Sequence, residues 1–287
     1  MFKRITLFNN LWHFSIVIFL ILIFSSCGKD RTELESTIKS LKGGFVFVAS
    51  EKTYVLRKYD FQTGKSNLLI SIEKDLEYPK SIKGKELLCK SKDGIYKFDG
   101  ENLIRIFSGE IWDYCYLEED KIAYITGKNY TLIVENLKNS YRTEILKESV
   151  NLGTRLTAFK DTLIFNSKDN RINKVKLNES TKSIINIVTS GSIPEIRCDG
   201  KKLAYLDSDN SELIILDMTN GNIERTGIKR IVDLTWIKDT NYLICKQWKS
   251  NFYNDWTDLE IVDYLTKEIF VLKGLRASGP GLAWIDF

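Results

Sequence analysis

Four aromatic side chains, Trp248, Phe252, Tyr253 and Trp256, crowd into residues 247–256, and Arg276 follows in the glycine-containing stretch 273–281. Rigid rings beside a guanidinium are the groups from which protein hot spots and sugar-stacking platforms are built. These two segments are therefore a candidate surface for a protein or glycan partner, unless the rings belong to strands packed between neighbouring sheets. Catalytic chemistry is harder to place. The single histidine, His13, lies in an apolar N-terminal run. The remainder therefore has no imidazole, which excludes Ser-His-Asp and Cys-His catalysis, histidine-ligated zinc and an imidazole general base. GxSxG, HExxH and P-loop patterns are also absent. An enzyme built on this chain has to use carboxylates, tyrosines, lysines or a bound ion. The run from Asp207 through Asp209 and Ser211 opens like a calcium loop, but its sixth position is Glu212 instead of Gly and its twelfth is Met218 instead of Glu. A polar turn is expected there, and neither a metal nor a cofactor.

The elements that must position these groups recur about every 40 residues. Segments 78–91, 111–126, 155–167, 194–207 and 233–246 each carry a short apolar strand, a polar turn and a second strand. A sixth copy, GLAWIDF at 281–287, stops after its first strand, and the missing second strand is FVFVAS at 45–50. Each unit continues into a third strand, such as residues 54–65 or 212–222, and a fourth, such as 66–71 or 269–274. Alternation over four to eight residues, broken at Gly, Asn and Asp, reads as strand after strand. The pattern predicts an all-β fold: a six-bladed β-propeller of four-stranded antiparallel blades, closed by the C-terminal strand joining the first blade. Closure has a physical reason, since a ring gives every blade two neighbours whereas an open array leaves two faces bare. Asp60, Asp99, Asp217 and Asp263 stand where third strands end. Their carboxylates are expected to accept hydrogen bonds from backbone amides just ahead.

The clearest copy of the repeat runs over residues 197–222, with Asp199-Gly200 at its first turn and Asp217 and Gly221 at its second, while Trp236 and Trp284 hold the tryptophan position in other copies. In these features the chain resembles the TolB-like family of propeller repeats. The resemblance implies that the first strand of each unit is innermost and the fourth lies at the rim. The loops from fourth to first and from second to third strands then share one face, the expected binding surface. It also implies that Trp112, Asp113, Arg155, Glu195 and Asp233, near the starts of innermost strands, approach the axial mouth. There they either meet a ligand or ion, or form salt bridges that plug the channel.

Lys3 and Arg4 precede an apolar run at 14–24 and then Ser25, Ser26 and Cys27, the layout of a secretory signal. The run is too short to span a bilayer comfortably. Residues 24–27 resemble the lipobox of bacterial lipoproteins, which implies cleavage before Cys27 and its acylation. The expected organisation is a lipoprotein signal at 1–26, a lipidated cysteine and tether at 27–44, and the propeller at 45–287. Within the tether, Leu34, Ile38 and Leu41 share one helical face. That face suits a short docking helix, although isolated helices of this length are marginal in water and a spacer is the other reading.

Loss of residues 1–26 removes two bases and no acid, so the formal net charge falls from +4 to +2. Without a basic stripe, a nucleic-acid partner is disfavoured. Cys89, Cys115, Cys198 and Cys245 fall in predicted strands. Export permits disulfides among them, but free thiols packed as small hydrophobes are expected. Three functions fit. The first is a non-enzymatic, lipid-anchored monomer of the bacterial envelope, periplasmic or cell-surface, that binds a protein, glycan or other ligand through one face. The second is a histidine-independent polysaccharide lyase, with Tyr or Lys as base and Arg neutralising a uronate. The third is a structural or assembly lipoprotein.

Overall fold

The computed structural model describes residues 35–50, 54–70, 76–82, 86–118, 120–126, 130–147, 150, 153–179, 182–251 and 255–286. The expected signal segment, Cys27, Phe252 and Tyr253 lie outside these residues.

The first blade contains β1 (Gly44–Ser50), β2 (Tyr54–Asp60) and β3 (Lys65–Ile70). The second contains β4 (Glu77–Ile82), β5 (Glu86–Ser91), β6 (Gly94–Phe98) and β7 (Leu103–Ser108), and the third β8 (Ile111–Leu117), β9 (Lys121–Thr126), β10 (Leu132–Asn136) and β11 (Arg142–Leu146). The fourth contains β12 (Leu156–Phe159), β13 (Thr162–Asn166), β14 (Ile172–Lys176) and β15 (Ile184–Val188), and the fifth β16 (Ser192–Ile196), β17 (Lys202–Leu206), β18 (Leu213–Asp217) and β19 (Ile223–Arg225). The sixth contains β20 (Ile231–Trp236), β21 (Tyr242–Ser250), β22 (Asp255–Asp263) and β23 (Ile269–Arg276). The last strand, β24 (Leu282–Ile285), pairs antiparallel with β1 and completes the first blade in the order β24-β1-β2-β3. Innermost strands touch in the closed cycle β24, β4, β8, β12, β16, β20 and back to β24. This is the six-bladed ring read from the repeat.

The core lies between blades. Along β1, Phe45, Phe47 and Ala49 pack with Ile244, Leu259 and Ile261 of the sixth blade and with Trp284 of their own sheet, whereas Val46 and Val48 pack with Leu87, Cys89 and Tyr96 of the second blade on the other side. Successive side chains of a strand point to opposite faces. A strand covered on both faces therefore carries an unbroken apolar run, which is why FVFVA has no polar member. The predicted turns form as well. Asp60 Oδ1 accepts the N–H groups of Gln62 and Thr63, Asp99 those of Glu101 and Asn102, and Asp263 those of Leu265 and Thr266. Asp217 Oδ1 accepts the Thr219 N–H.

Residues 35–40 form one short helix, and Ile38, 3% exposed, is packed with Phe45 and Trp284, with Leu41 beside it. That part of the N-terminal segment is docked on the first blade; the apolar contact supplies what an isolated helix this short lacks. Cys89, Cys115 and Cys245 are buried free thiols, and Cys198 is free but exposed. Burial pushes the Cys89 thiol up to about 12 and Cys115 well up. Among the described residues, no helix is long and apolar enough to cross a membrane.

Candidate functional site

Each inner strand begins at the face reached from the preceding fourth strand and ends at the turn into its own second strand. Four of them skip register near their start: β4 between Glu77 and Lys80, β8 between Ile111 and Tyr114, β16 between Ser192 and Glu195, and β20 between Ile231 and Asp233. In β4 and β16 the reason is visible. Pro79 and Pro194 have no N–H to give the ladder, and the preceding Tyr78 and Ile193 both adopt a φ of 49°. That left-handed conformation is uncommon for any side chain and an outlier for a β-branched one. Bulges re-aim side chains, and here the skipped stretches carry Tyr78, Trp112, Asp113 and the approach to Asp233.

At the starting end the axis is closed. The Tyr78 N–H donates to the Pro280 carbonyl at 2.9 Å, and Gly281 lies so close that a Cβ on it would stand 2.5 Å from Tyr78 Cα. The Arg155 guanidinium sits 4.1 Å from the Tyr78 ring centroid, and Lys90 Nζ is 4.9 Å from the same ring and 5.9 Å from that of Trp112. Asp113 is wholly buried; its Oδ2 accepts the Leu156 N–H at 2.8 Å, fastening β8 to β12. Asp233 Oδ2 accepts the Gly281 N–H at 2.6 Å, fastening β20 to the chain before β24. Burial works against the charge on Arg155, but Asp113, Tyr78 and Asp233 outweigh it and hold Arg155 above its ordinary range. Burial pushes the Tyr78 phenol up. Trp112, Arg155 and Asp233 are thus brought together at a packed end, where Asp113 Oδ1 and Arg155 Nη1 have no hydrogen-bond partner among the described residues.

At the other end the axis opens. A cavity of about 460 Å³ is lined by all six inner strands, from Lys80 of β4 and Cys115 of β8 to Trp236 of β20 and Trp284 of β24. Its mouth is ringed by first turns, carrying Glu118, Lys160, Cys198 and Lys238. Leu117, Leu156, Phe159, Trp236, Leu282 and Trp284 give apolar wall, while Lys80, Glu195 and Thr157 are the polar groups deeper in. Burial, only partly offset by Lys80, pushes the Glu195 carboxyl up to about 7, with Asp233 and Asp113 adding and a hydrogen bond from Thr157 subtracting. Burial also disfavours the Lys80 ammonium, but Asp113 and Glu195 prevail and its pKa is raised. Among the described residues Lys80 makes one long hydrogen bond, 3.4 Å to the Leu156 carbonyl.

The aromatic segment at 247–256 is not a loop where it is described. β21 and β22 pair through it, with Trp248 opposite Thr257 and Lys249 opposite Trp256. One step along a strand reverses the face, so Trp248 and Trp256 point to opposite sides of a two-stranded ribbon and do not form one platform. Trp248 is 47% exposed and Trp256 half-buried. Arg276 ends β23 opposite Asp258 and is exposed. Of the funnel residues, Lys80 and Phe159 were not singled out by sequence, and Trp236 and Trp284 were noted only as the tryptophans of the repeat. Their one common signal was a place on an innermost strand or its turn.

No family model matches the chain, and no curated protein matches it. Solved structures do. TolB from Acinetobacter baumannii superposes with a TM-score of 0.71 at 14% identity, covering 84% of this chain and 66% of that one, just under two thirds. A putative TolB from Agrobacterium tumefaciens gives 0.65 at 10% identity over 86% of this chain and all of that one (100%). A chain of the nidogen/laminin complex gives 0.64 at 10% identity, covering 84% and 97%. At such identities the likeness is one of fold: the chain is a six-bladed β-propeller whose fold is like that of TolB.

Proposed function

We propose that this chain is a non-enzymatic, lipid-anchored propeller of the bacterial cell envelope that holds its ligand in the axial funnel. The observation carrying the binding part is the blind cavity of about 460 Å³ to which all six inner strands contribute. Concave, mostly apolar sites with a few convergent polar groups are where ligands are usually bound. The envelope address rests on the basic start, the apolar run and the Ser-Ser-Cys27 sequence. This reading puts the ligand on the face of the first turns, opposite to the face favoured by loop length.

The lyase alternative needs a Tyr or Lys tuned down toward neutrality. In the funnel the candidates are tuned the other way: burial pushes the Tyr116 phenol up, and Lys80 is held up by Asp113 and Glu195 against its burial; Lys246, which burial lowers, lies at the closed end with its Nζ bonded to the Gly279 carbonyl. Arg155, the guanidinium nearest the axis, is committed to the closed end over Tyr78.

Ala158, half-buried on β12, lines the funnel, and an indole there would take up part of its volume. The test is native mass spectrometry of the full chain after incubation with envelope extract, comparing wild type with Ala158→Trp at matched thermal stability. A bound species on the wild type that the variant loses supports the funnel. The same species on both proteins overturns it.

A further inference from the structure

We propose that the occupant of the funnel is a monoanionic amphiphile, a carboxylate head on an apolar tail, with the head on Lys80 and the tail along Phe159, Trp236 and Trp284. This rests on the funnel being the binding site and adds the chemistry of its ligand.

The head group follows from what Lys80 lacks. An ammonium has three N–H donors, and among the described residues Lys80 uses one, in the 3.4 Å bond to Leu156 O; Asp113, Glu195 and Asp233 favour its charge from beyond ion-pair distance and leave the other two donors unused. Two other cations near the mouth are already paired, Lys238 with Asp286 at 2.7 Å and Arg197 with Asp199 at 2.7 Å. A charged donor taken out of water with bonds unmade is costly. Carboxylate oxygens are the acceptors that relieve this, with charge-assisted bonds about twice as strong as neutral ones. Lys160, whose Nζ rests 5.2 Å from the Phe159 ring centroid, adds a second cation at the entrance.

Two carboxyls also face the funnel. Glu118 is exposed at its rim. Glu195 is tied to Thr157 and is partly protonated near neutrality, so it presents an O–H to the head in addition to any residual charge. A cationic head is disfavoured because Lys80 already occupies the deep end and the Trp236 and Phe159 rings already carry Arg197 and Lys160.

The tail follows from the wall. Half-buried Phe159 and the edges of Leu117, Trp236, Leu282 and Trp284, which are otherwise packed between blades, can cover a few methylenes, and each adds roughly three- to fourfold to affinity at about 0.8 kcal/mol per CH₂. A single carboxylate with such a tail is carried both by a medium-chain fatty acid and by a peptide ending in an apolar residue. The volume admits either.

Isothermal titration on the full chain separates the possibilities, with Trp236 and Trp284 fluorescence as a second signal. The probes are hexanoate, octanoate, octanamide, octylamine and an N-acetylated tripeptide ending in leucine with a free carboxylate. Octanoate is expected to bind about tenfold or more tightly than octanamide, hexanoate about tenfold more weakly than octanoate, and octylamine not at all. Tighter binding of the tripeptide than of octanoate assigns the carboxylate to a chain end; the reverse assigns it to a free acid. Lys80→Met should lose at least tenfold in affinity for whichever carboxylate wins, and the wild-type comparison of head groups stands even if that variant misfolds. Octylamine or octanamide binding as tightly as octanoate overturns the proposal. Where octylamine binds and Ala158→Trp abolishes it, the funnel survives as the site and the head-group assignment fails. Where octanoate binds with equal affinity to Ala158→Trp, the funnel itself is wrong.

Discussion

Gly281 and Pro79 touch so closely that a Cβ added to the glycine would lie 2.5 Å from Pro79 Cδ. Through that contact the chain entering the last inner strand is pressed onto the bulge of β4, and the axis has one open end. Gly281 also has a φ of +101°, a region that side-chain-bearing residues rarely occupy.

Gly281→Ala is therefore expected to lose about 2 kcal/mol, from backbone strain together with an overlap that the buried bulge cannot relax. Thermal unfolding is the measurement. An unchanged midpoint would mean that the closed end has slack and that the funnel is not blind.

The two kinds of tryptophan should separate cleanly. Trp284 is 7% exposed and stacked on Phe61 with ring centroids 5.7 Å apart, so Trp284→Ala should cost about 3–5 kcal/mol. Trp248 is 47% exposed on the ribbon, and Trp248→Ala should stay within about 1 kcal/mol. Urea midpoints of the two variants decide it. Equal losses would show the ribbon to be part of the inter-blade core.

What the sequence made legible is what local chemistry determines. FVFVAS announced the second strand of the split blade, GLAWIDF its partner, and the Asp residues at 60, 99, 217 and 263 their turns. At 247–250 and 255–256 strands continue where a connector was expected, because these polar and aromatic residues follow no buried-face alternation. The funnel was illegible for a different reason. Lys80 and Glu195 are 115 positions apart in the chain and meet through ring closure. A hint was present in the prolines: all three of them, Pro79, Pro194 and Pro280, stand at the closed end.

The anchor is tested independently of the fold. Cys27→Ser is expected to abolish incorporation of radiolabelled palmitate and to move the protein from the membrane to the soluble fraction, because the acyl chains supply the membrane affinity. Labelling that persists in the variant excludes Cys27 as the modified residue.

Glu195 gives the fold a pH dependence of definite sign. Its carboxyl ordinarily titrates at 4.5 and is pushed to about 7, chiefly by burial, against Lys80 and the Thr157 hydrogen bond and with help from Asp233 and Asp113. In the folded chain the proton is therefore held more tightly than in the unfolded one. The stabilisation this represents is fully present below about pH 4.5, declines as pH rises, and is lost once pH passes about 7. Glu195→Gln keeps the shape and cannot ionise. Relative to the variant, the wild type should match at pH 4, fall progressively behind between about 4.5 and 7, and remain about 2–3 kcal/mol less stable above that. The comparison is a difference between two denaturation series, so the other titrating groups, Asp217 among them, cancel. A difference that stays flat from pH 4 to 8 would mean that Glu195 ionises freely in the fold, and that water fills the funnel around it.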